Sequence, residues 1–171
     1  MNYTLDFNDL DTLRKEGFKG FKTKQELFGD SSSIPSLGGV YLILNLEEGT
    51  PKYLEFGTGG FFKGKNPNVS LSELEDNWVE GSKVVYIGKA TNLKKRLGQY
   101  FKFGQGKNIG HYGGRLIWQL GNSRKLVVCW KVLSDVTPGD AERELIEAFN
   151  ITYGKRPFAN MINGSKAKKI F

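Results

Sequence analysis

Between Val84 and Tyr100 the chain reads VVYIGKATNLKKRLGQY, and four of its side chains could handle an anion together. Arg96 offers a planar fork of donors suited to phosphate oxygens, Tyr100 one helical turn later can bond the same group, and Lys89 and Tyr86 lie just before them. The elements that would position them are legible. Val84, Val85, Tyr86 and Ile87 predict a short buried strand that Gly88 ends. Thr91 and Asn92 then offer an N-cap, after which Leu93, Leu97, Tyr100 and Phe101 recur at helical spacing. A strand turning into a basic helix could wall an anion site, but the same pattern is equally consistent with packing alone.

The totals narrow the function classes. With 171 residues, 39% hydrophobic and 13% aromatic, the chain can fill one core and is expected to form a single domain. No apolar run approaches the roughly 20 residues that span a bilayer, and the start, MNYTLDFNDLDTL, lacks the basic and apolar regions of a signal peptide; a cytoplasmic protein off the membrane is expected. The single cysteine, Cys129, lies in the apolar run LVVCWKVL and reads as a buried structural thiol, with no disulfide framework and no Cys/His zinc cluster. The net charge of +7 is concentrated in 89–96, 102–124 and 155–169, which suits a polyanion such as DNA or RNA.

Residues 1–37 read as an N-terminal extension packed on the core, with Thr23 and Glu26 spaced as a capping box for a short helix. After the SSSIPSLGG break, Gly39 to Leu44 (GVYLIL) is the first expected strand. A long connection, 45–83, reads as an insertion with a helix over Leu71 to Val79. Within it, Gly59 to Lys65 spells GxxxxGK, but Asn66 and Pro67 follow where a phosphate loop needs Ser or Thr and a helix, so only a backbone contact from Lys65 is retained. HYGGRLIWQL predicts a helix through Leu116, Ile117 and Leu120, and Leu126 to Leu133 a third strand. Thr137 and Pro138 open a last helix to about Thr152, followed by an irregular basic tail. The expectation is an α+β fold: a small three-stranded antiparallel sheet flanked by helices, with the long insertion between its first two strands.

Gly39-Val40-Tyr41 and Tyr86-Ile87-Gly88 resemble the paired signature of the GIY-YIG nucleases, with Val for the middle Ile, and the segment GKATNLKKRLGQYF closely resembles the matching one in the endonuclease domain of the bacterial excision-repair incision subunit. The resemblance implies a metal-dependent endonuclease that hydrolyses DNA phosphodiesters by a tyrosine-assisted, one-metal mechanism, with Tyr41, Tyr86, Lys89, Arg96, Tyr100, Glu142 and Asn160 as its site. Helical phase selects Glu142 over Glu144 and Glu147, because Leu145, Ile146 and Phe149 follow it at i+3, i+4 and i+7. Glu142 would hold one divalent cation, magnesium with manganese able to substitute. Arg96 and Tyr100 would hold the scissile phosphate, and Asn160, closing Pro157-Phe158-Ala159-Asn160, would brace the site. Tyr41 would be the general base; a free phenol, with a pKa near ~10, is a poor one, and Lys89 is expected to lower it.

Lys65, Lys94, Lys95, His111 and Arg115 are the candidate nucleic-acid contacts, with a capping or packing role the better fit for His111. Trp118 and Trp130 fit the core. Double-stranded DNA is the expected partner, with a monomer or a homodimer both open. Two rivals share these residues: a nucleic-acid-binding module of the same fold without turnover, and an RNA-directed nuclease.

Overall fold

The chain begins with α1 (Leu10–Lys15), β1 (Lys19–Thr23) and α2 (Lys24–Gly29), as seen in a computed structural model that describes residues 5–161. β2 (Gly39–Leu44) follows. A long connection carries α3 (Leu71–Asn77) to β3 (Val84–Ala90) and α4 (Leu93–Gly104), then 3-10 turns over Tyr112–Gln119 lead to β4 (Val127–Val132) and α5 (Pro138–Tyr153). Of the basic tail, positions 162–171 lie outside the described residues.

Local chemistry sets the helix starts. Thr23 Oγ1 accepts from the Glu26 N–H at 3.1 Å, Asn92 Oδ1 from Lys95 N–H at 3.0 Å, and Thr137 Oγ1 from Asp140 N–H at 3.1 Å, each satisfying a donor the first helical turn leaves free. Pro138 follows its cap at the first helical position, and Gly154 ends α5 in the left-handed region at φ 76°.

The sheet is antiparallel throughout, in the order β1-β4-β2-β3. β2 is an inner strand and every one of its residues is buried, which is why GVYLIL is apolar without alternation. Its odd-numbered side chains, Tyr41 and Ile43, join Leu93, Leu97, Tyr100 and Trp118 in one core cluster. Val40, Leu42 and Leu44 join Leu13, Phe18, Ala141, Ile146 and Phe149 in the other. The sheet therefore separates an α4 side from an α5 side, and the Tyr41 side chain belongs to the α4 side.

Four strands replace the three expected from sequence. The extra one, β1, falls in the 1–37 segment, which supplies an edge strand and three buried anchors, Phe7, Leu13 and Phe18, rather than merely resting on the core. Its sequence, KGFKT, carries no apolar alternation, and Gly20 (φ 98°) and Phe21 (φ 55°) depart from extended geometry where the register with β4 shifts. The segment expected as a helix over HYGGRLIWQL forms 3-10 turns kinked at Gly114. The long 45–83 connection is tied to these turns by Gln119, whose Nε2 donates to the carbonyls of Leu54 (3.0 Å) and Val69 (2.9 Å) while its Oε1 accepts from Val69 N–H at 2.9 Å. Among the described residues no helix is long and apolar enough to cross a membrane.

Because Leu13 is fully buried against the sheet, Leu13→Ala is expected to destabilise the fold by about 2–5 kcal/mol in urea unfolding. An appendage outside the core would show no such loss.

Candidate active site

The register of β2 with β3 decides what can meet on the α4 side. Tyr41 pairs with Gly88 and Ile43 with Tyr86, so both phenols rise from one face, diagonally adjacent, with ring centroids 6.0 Å apart. Gly88 makes room for this. A Cβ there would lie 2.3 Å from Tyr41 Cζ and 2.5 Å from its hydroxyl, so the phenol lies across the glycine. Lys89 pairs with Val40 and alternates to the other face, where it is exposed.

Tyr41 is fully buried, and its hydroxyl meets His111 Nε2 at 3.0 Å. His111 is fully buried as well, in the stretch between α4 and the 3-10 turns, with its ring 5.1 Å from that of Tyr100 and 6.0 Å from that of Tyr86. Gly114 closes over it, its position leaving only 3.0 Å between a would-be Cβ and His111 Cε1. The expectation that His111 contacts nucleic acid is therefore corrected: the imidazole is enclosed and bonded to the strand tyrosine. A lone histidine ahead of two glycines was the available signal, but what it would face depends on a loop closing onto the sheet.

Arg96 holds that loop. Its Nη1 donates to the carbonyl of Gly110 at 2.6 Å and to Gln99 Oε1 at 3.1 Å, tying α4 to the residue before His111. The guanidinium also sets local electrostatics. Burial raises the Tyr41 phenol well above its usual value and Tyr86 adds to the rise, while the charge on Arg96 opposes both. Tyr86 is pushed up to about 12 by burial, with Arg96 lowering and Glu142 raising it. His111 is held down to about 3 by burial first and Arg96 second, so its imidazole is neutral across the physiological range. The cation acting on Tyr41 is thus Arg96, and the expected Lys89 is not among the charges that move it; Lys89 leaves β3 on the other face of the pleat and, near the end of the strand, lines the same cleft as Arg96.

Tyr100, expected to hold the phosphate with Arg96, is enclosed in the core. It is fully buried, its ring 4.7 Å from that of Trp118, and among the described residues its hydroxyl has no hydrogen-bond partner. Asn160 braces β3 from its free edge: Oδ1 accepts from Ile87 N–H at 3.0 Å and Nδ2 donates to Ile87 C=O at 2.9 Å, beside the Ala159 N–H bond to Val85 C=O at 2.8 Å. That closing segment covers an edge that would otherwise be open.

Of the three glutamates on α5, Glu142 is buried while Glu144 and Glu147 are exposed, and its charge reaches Tyr86. Outside these buried groups lies a cleft of about 410 Å³ lined by Lys89, Lys95, Arg96, Gln99 and the first turn of α5 at Pro138 and Gly139. Two lysines, a guanidinium and the positive end of a helix dipole make it suited to phosphate. Lys94 is exposed on the first turn of α4. Lys65 and Arg115 lie elsewhere: Lys65 is exposed at the end of a 3-10 turn whose Lys63 N–H bonds Asn108 Oδ1 at 3.1 Å, and Arg115 is half-buried in the turns after His111. Among the described residues no cluster of three or more His, Cys, Asp or Glu could enclose a metal. A single carboxylate fits a hard, hydrated cation that keeps most of its waters, and does not fit a zinc site with three or four protein ligands.

The family model of the GIY-YIG catalytic domain matches residues 76–154. That stretch holds Tyr86, Lys89, Arg96, Tyr100, His111 and Glu142. Tyr41 and Asn160 fall outside it and reach it through the β2–β3 pairing and the Ile87 clamp. Neither the curated proteins nor the solved structures contain a match to this chain.

Two outcomes follow. Gly88→Ala is expected to displace the Tyr41 phenol and lower the melting temperature, whereas a wild-type melt would contradict the close approach. Unfolded, His111 gains a proton below its ordinary 6.5; folded, it does not until about 3. Stability should therefore fall as the pH drops through this window, and the decline in melting temperature should be shallower in His111→Gln than in wild type. Parallel curves would contradict the buried neutral imidazole.

Proposed function

This chain belongs to the GIY-YIG nuclease superfamily, and we propose that it is a metal-dependent endonuclease cutting DNA phosphodiester bonds, with a tyrosine–histidine pair moving the proton of the attacking water. The observation that carries this reading is the buried 3.0 Å bond between Tyr41 and His111, set behind a cationic cleft.

Tyr41 cannot act as a free phenolate at neutral pH, because burial holds its proton on. A relay avoids that state. Tyr41 accepts a proton from the attacking water as its own passes to His111 Nε2, so no isolated tyrosinate forms. Among the described residues His111 Nδ1 has no well-aligned partner, and the residue's own carbonyl acts on the ring as an acceptor, which favours the tautomer with the proton on Nδ1 and leaves Nε2 to accept. Arg96 resists a second charge on His111 while the cleft is empty of substrate. A phosphate diester against Arg96 offsets that charge and raises the proton affinity of His111, so the base is strengthened by the substrate it serves.

Arg96, with Lys89 and Lys95 at the cleft, holds the scissile phosphate and stabilises the charge that builds on it, and Tyr86 positions the water between Tyr41 and Glu142. Glu142 would hold one magnesium or manganese ion, which when bound supplies charge neutralisation at the phosphate and the leaving oxygen. Asn160 keeps β3, and with it Tyr86 and Gly88, in register. Lys94 extends the basic surface toward the flanking backbone, and duplex DNA is the substrate that surface best suits.

Supercoiled plasmid incubated with magnesium is expected to be nicked by wild type, with matched RNA cut more slowly. Tyr41→Phe, His111→Gln and Glu142→Gln should each reduce nicking by about 10²-fold or more. Absence of nicking by wild type, or undiminished nicking by Tyr41→Phe and Glu142→Gln, would leave a binding module as the better account.

A further inference from the structure

The end of α4 away from the catalytic cleft carries a second cavity, of about 600 Å³, lined by Lys24, Phe28, Thr58, Gln105, Lys107 and Arg124. Its lining shares no residue with the cleft, and the nearest lining residues of the two on α4, Gln99 and Gly104, are roughly 7.5 Å apart along the helix axis at ~1.5 Å per residue. The volume is that of a small-molecule site.

Among the described residues no ion pair balances its charge. Lys24 is only 7% exposed, and its Nζ lies 4.4 Å from the centroid of the Trp118 ring. Burial and then the charge of Arg124 lower its pKa, with no carboxylate among the causes. Among the described residues no ion pair joins Lys24, Lys107 or Arg124 to an acid. A buried ammonium facing a second cation is costly, and the ring of Trp118 compensates only in part. Phe28, 57% exposed, adds an open aromatic face to the same cavity.

We propose that this cavity is a nucleotide-binding site separate from the catalytic cleft: a phosphate pairs with Lys24, Lys107 and Arg124, and a base stacks on Phe28. Phosphate supplies the missing counter-charge, and a base gives the exposed ring its partner. The nucleotide can come from a free mononucleotide or from a strand of nucleic acid. The site does not depend on turnover, since its readout is binding alone.

Titration calorimetry of the full chain without added metal, using adenosine 5′-monophosphate, ribose 5-phosphate and 5′-phosphorylated hexathymidylate, tests it. One saturable site per chain is expected for the mononucleotide. Arg124→Glu and Lys107→Glu, both at exposed positions and checked for folding by circular dichroism, should each weaken it about tenfold or more. Phe28→Ala should weaken the mononucleotide about fivefold or more and leave ribose 5-phosphate unchanged. Tighter binding of the hexathymidylate than of the mononucleotide identifies a strand as the source, and equal binding a free nucleotide. No saturable binding by any of the three, or binding undiminished in both charge reversals, overturns the site.

Discussion

The register that sets Tyr41 opposite Gly88 is the constraint on which the candidate site depends. A phenol can lie across its cross-strand neighbour only when that neighbour has no Cβ, and the 2.3 Å approach leaves no alternative residue. Once Tyr41 occupies that position, its hydroxyl points into the α4 layer, and the loop after α4 must bring a partner to it. His111 is that partner, and Arg96 fixes the loop by gripping the Gly110 carbonyl. Three separate parts of the chain are therefore joined in one path, from an inner strand to a guanidinium at the cleft, by two hydrogen bonds on either side of the Gly110–His111 peptide bond.

The interior of that path is neutral and its rim is charged. Tyr41, Tyr86, Tyr100 and His111 are all buried, and burial pushes each toward its uncharged form. Arg96 and Glu142 act on Tyr86 with opposite sign. Such an arrangement is poor at holding a resting phenolate, and a proton can pass from Tyr41 to His111 only when an anion offsets the charge of Arg96. The orphaned hydroxyl of Tyr100 belongs to the same picture, because an unmet buried donor costs about 1–3 kcal/mol.

What was legible in the sequence followed from local chemistry. The bounds of β2, the caps at Thr23, Asn92 and Thr137, and the burial of Glu142 in place of Glu144 or Glu147 come from side-chain type and period within one element. β1 was not legible, because KGFKT has no alternation and owes its strand geometry to pairing with β4 across more than a hundred residues. The 3-10 turns were misread as a helix because Gly113 and Gly114 interrupt an otherwise apolar period. For His111 the packing reading agrees with its burial and the nucleic-acid contact does not. Its burial and its bond to a residue 70 positions earlier are tertiary facts. Lys89 was expected to act on Tyr41 from its nearness to Tyr86 in sequence, but the pleat sends neighbouring side chains to opposite faces.

The central claim is that a neutral His111 accepts the hydroxyl proton of Tyr41. Because the chain has a single histidine, nitrogen-15 NMR of uniformly labelled protein reads that ring without ambiguity. The account predicts one neutral tautomer, protonated at Nδ1 with Nε2 accepting, and no titration between about pH 5 and 8. A ring that titrates near 6.5, or one that carries its proton on Nε2, would contradict it.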